Sequence, residues 1–294
     1  VNAGTQRLAS MQTTSGGLAY WPNDTQPYLW GTCYASLLLA EARKGGYKIA
    51  DLDQKALAGY LLRSLREDNP GLNQQAFLCR SLASFGSPQI ARQSFLLDQV
   101  DRLDLAARAH LAAAWLAVGR RDKAAMSLPA GTLKLKPSAR TTGGRLTSPV
   151  AQDGVLLSVL LSLNPQHPWI PKVVGRLDQS RKAGLWLSTL DDGLAVAALC
   201  QYQASFQREP GTFSGSLQSE GLEPMTFSSD ASADFHFKGK KPVRLLSKGD
   251  GPLYVSVKTD GIGIAGRDDE QDNVLVVRRR WLDAEGNVLR DWTA

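Results

Sequence analysis

Five stretches of the chain repeat one pattern: a Gly- or Pro-marked approach, an apolar helix, then a second helix leading back. The inner, more apolar helices are expected to start near Leu29, Asn73, Leu105, Ala151 and Thr189. A spacing that averages roughly 40 residues belongs to stacked helical pairs. One helical hairpin cannot bury both of its helices, so several must pack side by side, as an open solenoid or closed into a ring. The repeat therefore sets the fold class of the first part of the chain: mainly α, built from helical hairpins.

Local signals place the ends. Leu29, Cys33, Leu37 and Ala40 follow helical spacing, and Gly45-Gly46 stops that helix as a left-handed cap would. Asp51 is expected to cap the partner, which runs to about Arg66. The second inner helix closes at Gly86, and Ser87-Pro88 is expected to start its companion, since Pro suits a first helical turn. An Ala-rich helix from Leu103 ends at Gly119, with a short partner over 123–127. Asp153 to Leu163 closes at Asn164-Pro165, Pro168 to Gln179 follows it, and Asp191 to Phe206 is the last helix.

After Gly211 the period changes. Gly215–Leu217, Ala233–Phe237, Pro242–Leu246, Leu253–Val257 and Val274–Arg280 are short alternating or β-branched segments punctuated by Gly and Asp. The boundary is expected between Arg208 and Phe213. The β-rich remainder of the chain is too short for a complete sandwich of about 100 residues.

Composition describes a globular chain: 43% hydrophobic and 21% charged residues over 294 positions. No apolar run reaches the roughly 20 residues a spanning helix needs. Val1 opens no basic segment followed by an apolar core, and the missing initiator Met fits a processed chain or an excised piece. The net charge of +6 is scattered apart from Lys238-Gly-Lys-Lys241 and Arg278-Arg-Arg280, which argues against a nucleic-acid stripe. Cys33, Cys79 and Cys200 sit far apart in apolar helical contexts without CxxC spacing. They read as small buried hydrophobes, not as a zinc site or a disulfide framework. His110 reads as a packed imidazole, His167 as a loop residue and His236 as an exposed strand residue. None has the partners a metal centre or a catalytic triad requires, and no cofactor is implied.

Several motifs, in this order and spacing, resemble the α2-macroglobulin and complement family. Gly17-Leu-Ala-Tyr-Trp21 followed by Tyr28-Leu-Trp-Gly-Thr-Cys-Tyr-Ala35 is similar to the helix after the reactive site of that family's thioester domain. Arg108 to Gly119 is similar to a later Ala-rich inner helix, and Leu185 to Gln203 to the last helical repeat. Gly249-Asp-Gly-Pro-Leu-Tyr254 resembles the strand entry of bacterial members, and Val276 to Gly286 the opening of a macroglobulin-like β-domain.

The resemblance implies an α/α toroid over 1–207, a CUB-like half-domain over 208–262 and the start of a macroglobulin-like domain over 263–294. It implies part of an endopeptidase inhibitor that entraps proteases, not an enzyme, found in the periplasm, at the cell surface or outside the cell. Partners would be proteases and other target proteins, and the other domains of the parent chain. The family's internal thioester joins the Cys and Gln of a Cys-x-x-Gln motif, a stored electrophile that must stay dry until activation. That motif is expected upstream of residue 1. Tyr20, Trp21, Tyr28 and Trp30 would then neighbour it, with helical core packing the plainer reading for Trp30 and Trp21 the more exposed loop residue. Cys200-Gln-Tyr-Gln203 matches the motif formally but ends the last helix instead of opening the first, so it reads as a chance match. The loop Arg66 to Gly71 lacks the His that some members use in acyl transfer, which fits a preference for amines.

Two other readings stay open. Toroids also serve terpene cyclases and prenyltransferases. A cyclase would need an Asp-x-Asp-Asp proton donor, whereas Leu190-Asp-Asp-Gly193 has two carboxylates expected to cap the helix they open. A prenyltransferase would need Asp, Cys and His converging on zinc. The third reading is a binding module without thioester chemistry.

Overall fold

The computed structural model describes residues 1–49, 52–68, 70–142, 146–182, 184–206, 212–230, 235–236 and 242–249, with 253, 255, 257, 280, 282–283 and 285–288. They hold ten helices: α1 (Asn2–Ala9), α2 (Leu29–Lys44), α3 (Gln54–Arg66), α4 (Leu72–Ser84), α5 (Ile90–Asp98), α6 (Leu105–Ala117), α7 (Arg121–Met126), α8 (Pro149–Leu163), α9 (Ile170–Gln179) and α10 (Thr189–Phe206). Three strands come after them: β1 (Phe213–Ser219), β2 (Met225–Ser228) and β3 (Val243–Gly249). The chain divides into two compact units, Val1–Gly251 and Pro252–Ala294.

The inner helices α2, α4, α6, α8 and α10 begin within two residues of their predicted starts. They pack in sequence order, α2 on α4, α4 on α6, α6 on α8 and α8 on α10, while α3, α5, α7 and α9 each lie against the inner helix before them. Burial drives this order. α8 is apolar on every side, with Val150, Val155, Leu156, Leu157, Val159, Leu160 and Leu161 all buried, so it has to be enclosed. Gly154 lets α10 come close: a Cβ there would lie 2.8 Å from the Leu194 carbonyl oxygen. α2, α4 and α6 end beside Gly46, Gly86 and Gly119, all in the left-handed region, where glycine closes a helix without strain.

Three helix starts differ from expectation, and α1 was not foreseen. Asp53 caps α3 by accepting from the Ala56 N–H at 2.9 Å; Asp51 lies outside the described residues. Ser87 belongs to the end of α4, its N–H bonded to the Leu82 carbonyl, so α5 starts only at Ile90 and Pro88 stays in the connection. In α9 the proline of the first turn is Pro171 instead of Pro168. Helix α10 is capped at the Asp191 N–H by the Ser188 hydroxyl at 3.3 Å. The Asp191 carboxylate, fully buried, faces Arg140 and the Ser148 hydroxyl instead, which corrects its expected capping role.

Those contacts fasten the long α7–α8 connection across the helix starts. Gln152 donates to the Ser138 carbonyl and accepts from the Ser138 N–H, both at 3.0 Å, behaving as a neighbouring strand would. Ser148 caps α8 by accepting from the Ala151 N–H at 3.0 Å. At the other end of the unit Gln12 makes the same two-sided bond to Asp53, at 2.8 Å in each direction.

The strands form a three-stranded antiparallel sheet in the order β2-β1-β3. Register places Leu217 opposite both Met225 and Leu245, with Phe213 and Phe227 on the same face, while Ser214, Ser216, Thr226, Arg244 and Lys248 share the other. β1 and β3 cover the expected segments around Gly215 and Val243, and β2 was not foreseen. The described Leu253, Val255 and Val257 are not in a strand, against expectation, nor are Phe235 and His236. The rest of Ala233–Phe237, and Val274–Arg280 apart from Arg280, lie outside the described residues.

Cys33 and Cys79 are fully buried, and burial pushes both thiols up to about 12. Cys200 is exposed, contrary to expectation, because it points away from the α8 side of α10.

Burial of polar side chains has two measurable results. Asp153 of α8 is buried beside Arg176 of α9, and burial outweighs the guanidinium, raising the carboxyl to about 6. A raised folded pKa favours the protonated form, so the Asp153 contribution is complete below about pH 4 and is lost as pH rises to about 6. Denaturant titrations should find this loss, on the order of 2 kcal/mol, in the parent chain and not in Asp153→Asn. Gln93 of α5 is fully buried and neither of its amide atoms has a hydrogen-bond partner among the described residues. Gln93→Met, similar in length, should raise stability by about 1–2 kcal/mol in thermal melts.

Candidate functional site: an aromatic row leading to a central cavity

The loop between α1 and α2 is held at many points. The Tyr28 N–H bonds the Leu18 carbonyl at 2.7 Å and the Ala19 N–H bonds the Met11 carbonyl at 2.8 Å. The fully buried Thr32 hydroxyl accepts from the Leu18 N–H and donates to the Tyr28 carbonyl, both at 2.9 Å, joining the loop to the first turn of α2. Gly17 is required where the loop crosses α3, since a Cβ would sit 2.7 Å from Pro27 and 2.8 Å from the Tyr60 ring. This bracing leaves Tyr20 and Trp21 outside, 55% and 63% exposed.

The four aromatic residues singled out by sequence form one row. Ring centroids lie 5.2 Å apart for Trp21–Tyr20, 5.6 Å for Tyr20–Tyr28 and 6.2 Å for Tyr28–Trp30. Such separations are those of favourable edge-on and tilted ring pairs. The row then divides, with Tyr34 stacked on Trp30 at 5.2 Å and Phe77 edge-on to it at 6.1 Å. Phe77 in turn stacks on His110 at 4.4 Å. Trp30 is half-buried against the helical core, and Trp21 is the most exposed member of the row. Burial raises the phenols of Tyr28 and Tyr34, and the nearby Tyr20 adds to the rise at Tyr28, so both stay protonated at neutral pH.

The row ends at a cavity of about 60 Å³ to which all five inner helices contribute. Trp30 and Tyr34 come from α2, Gln74 and Phe77 from α4, His110 from α6, Gln152 and Val155 from α8, and Leu190 and Leu194 from α10. These residues lie in the first turns of their helices, so the inner helices start at the same end of the unit. Sequence reasoning missed Tyr34, Phe77 and His110. The signal was available: each falls within the first two turns of an inner helix, at equivalent points of the repeat.

His110 is placed as a packed group. Its Nδ1 lies 3.1 Å from the Arg80 guanidinium, which can only donate, so Nδ1 accepts and the proton sits on Nε2. Burial lowers Arg80 to about 10, which leaves it a cation at neutral pH. Among the described residues that line the cavity one is a histidine and none is a carboxylate or a thiol. Among the described residues no three His, Cys, Asp or Glu side chains converge as a metal centre would need, and no helix is long and apolar enough to cross a membrane. His167 is a half-buried loop residue whose Nδ1 accepts from the Trp169 N–H at 3.2 Å, and burial lowers it. Cys200 and Gln203 lie on the exposed side of α10, far along the helix from the cavity.

No family model matches the chain. The α2-macroglobulin of Xylella fastidiosa (strain Temecula1) is 27% identical over 98% of this chain, which spans 18% of that relative's length. A crystal structure of native α2-macroglobulin from Escherichia coli, running from domain MG7 to the C-terminus, matches 85% of the chain and 38% of its own with a TM-score of 0.63 at 18% identity. The trypsin-activated form of the E. coli protein matches the same share of this chain and 17% of its own, with a TM-score of 0.58 at 20% identity. Sequence over nearly its whole length and fold over most of it thus relate this chain to the bacterial α2-macroglobulins, of which it corresponds to one segment.

Proposed function

We propose that the chain is the helical segment of an α2-macroglobulin-type endopeptidase inhibitor, a protein that entraps proteases and does not itself catalyse a reaction. The observation that carries this reading is similarity across 98% of the chain to a bacterial α2-macroglobulin. Five inner helices packed in order around a shared cavity support an α/α toroid. The sheet after Phe206 suits the returning half of a CUB-like domain over 208–262, with 263–294 opening a macroglobulin-like domain. The described lining of the cavity, with one histidine among mostly apolar and amide side chains, is not what the cyclase and prenyltransferase alternative would lead one to expect. Periplasmic, cell-surface or extracellular placement belongs to the same reading, as do proteases and other target proteins as partners.

In this reading a Cys-x-x-Gln thioester of the parent chain lies next to the row Trp21–Tyr20–Tyr28–Trp30. A thioester persists only while water is kept from its carbonyl carbon, and closely spaced rings on a braced loop supply a dry wall. The amine of a captured protein would attack that carbon and release the cysteine as a thiol.

The test uses the chain extended upstream by roughly 60 residues, about one and a half hairpin repeats. Intact mass should rise by one methylamine on treatment, with one thiol newly released. Trp21→Ala should leave the fold intact and hasten hydrolysis of the thioester several-fold. No methylamine uptake, with every thiol free from the start, would leave a family member that binds without covalent capture.

A further inference from the structure

Charge is unevenly spread over the helical unit. Where the inner helices start, around the cavity, acidic groups gather: Asp101 and Asp104 precede α6, and Asp191 and Asp192 open α10. At the other end, where the inner helices stop and the outer ones begin, the exposed groups are mainly cations. Arg43 and Lys44 close α2, Lys48 follows in the connection, Arg120 and Arg121 lead into α7, and Lys172 lies in the first turn of α9. Glu41 and Asp122 stand among them, but each is already matched, with Lys44 at 2.7 Å and with Arg120 at 2.6 Å. Asp53, the cap of α3, is offset by Lys55. Among the described residues Arg43, Lys48, Arg121 and Lys172 have no carboxylate at ion-pair distance. Arg43 reaches from α2 to the end of α4, donating to the Ser84 carbonyl at 3.4 Å, and Arg121 reaches the end of α8, donating to the Leu163 carbonyl at 2.6 Å. A cation at a helix C-terminus is favourable, and these two also tie neighbouring helix ends into one surface. Lys48 and Lys172 are exposed, and no described group holds them.

The same end is broad and level. α2, α4, α6 and α8 start together and hold 16, 13, 13 and 15 residues, so at about 1.5 Å per residue their ends agree to within about 5 Å. Four helices packed about 8–10 Å apart spread this face over roughly 30 Å. Apolar groups stand between the cations: Tyr47, just after α2, is 49% exposed, and Ile90, which opens α5, is 46% exposed. We propose that this end of the helical unit docks on the surface of an anionic bilayer, with Arg43, Lys48, Arg121 and Lys172 at the level of the lipid phosphates and Tyr47 and Ile90 among the headgroups. Charge complementarity carries the choice of partner, and the mixture of side chains refines it. Nucleic acid calls for a basic stripe or a recognised motif, whereas spread cations with a tyrosine and an aliphatic residue between them suit a lipid interface. Docked this way, the unit turns its cavity and the row Trp21–Tyr20–Tyr28–Trp30 away from the membrane, towards arriving proteins. The docking goes beyond the inhibitor reading and does not depend on a thioester, since vesicle binding and methylamine uptake are separate readouts.

Co-sedimentation of the full-length parent chain with vesicles tests this. Vesicles of equal parts phosphatidylglycerol and phosphatidylcholine should bind it, pure phosphatidylcholine should bind it at least ten-fold less, and added salt should release it. The double variant Lys48→Glu/Lys172→Glu touches no described contact and should lower binding to the anionic vesicles at least ten-fold. Lys134→Glu/Lys136→Glu changes the net charge equally but lies in the connection that leads to the start of α8, and should change binding by less than about two-fold. An environment-sensitive fluorophore on Tyr47→Cys should shift to the blue on anionic vesicles, while one on Tyr20→Cys should not. Equal binding to neutral vesicles would overturn the proposal, as would equal loss in the two double variants or a blue shift at position 20. Tighter capture by duplex DNA than by vesicles, lost in Lys48→Glu/Lys172→Glu, would make the partner a nucleic acid and overturn it too. So would vesicle binding by residues 1–294 that the parent lacks, because the parent would then cover this face. A parent that takes up methylamine without binding vesicles would sink the docking alone, and one that binds vesicles without methylamine uptake would sink only the thioester reading.

Discussion

Enclosure of α8 is the constraint on which the helical unit depends. A helix that buries apolar groups on every side cannot rest on a surface, and it needs neighbours all round. α6 covers one flank, α9 the outer side and α10 the other flank, the last at the close approach that Gly154 permits. Once α8 is surrounded, its polar attachments have to be satisfied without water. That is why the carboxylates of Asp153 and Asp191 each meet a guanidinium, and why the side chains of Ser148 and Gln152 bond the backbone and Asp191. The cavity lies among the first turns of the inner helices, between the rings carried by α2, α4 and α6 and the amide and aliphatic side chains of α8 and α10.

Much of this was legible in the sequence. The inner helices could be placed to within two residues because each one carries apolar residues at helical spacing, and in α2, α4 and α6 a glycine stop agrees with that pattern. The aromatic row was partly legible as well: Tyr20, Trp21, Tyr28 and Trp30 were picked by motif, and they do form a row. The repeat puts Tyr34, Phe77 and His110 at equivalent points of α2, α4 and α6, but the meeting of Phe77 with Trp30 and His110 depends on how separate hairpins face each other.

Other features were hidden for physical reasons. Ser87-Pro88 carries a helix-start signal, but the preceding helix uses Ser87 to close its own last turn, and the start moves on to Ile90. Cys200 belongs to an apolar helix, and composition alone gives no hint that the helix is covered on one side only. Adjacent carboxylates at Asp191 and Asp192 look like a cap, yet Arg140 arrives from 51 residues away and turns Asp191 inward. A short strand such as β2, four residues long and entered through Pro224, has too few positions to display an alternation.

Gln12 and Gln152 each lend a side-chain amide to both backbone groups of a single residue in a distant loop, so one residue does the job of a strand pairing. Asparagine has the same two groups but falls one methylene short, and glutamate reaches but has no donor when ionised. Neither alternative leaves both the N–H and the C=O of the partner bonded. These two positions are therefore narrow in what they accept, narrower than many positions of the apolar core, where one hydrocarbon side chain of suitable volume can replace another. Each glutamine amide thereby fixes the backbone at one residue, Asp53 at the start of α3 and Ser138 in the connection that leads to α8.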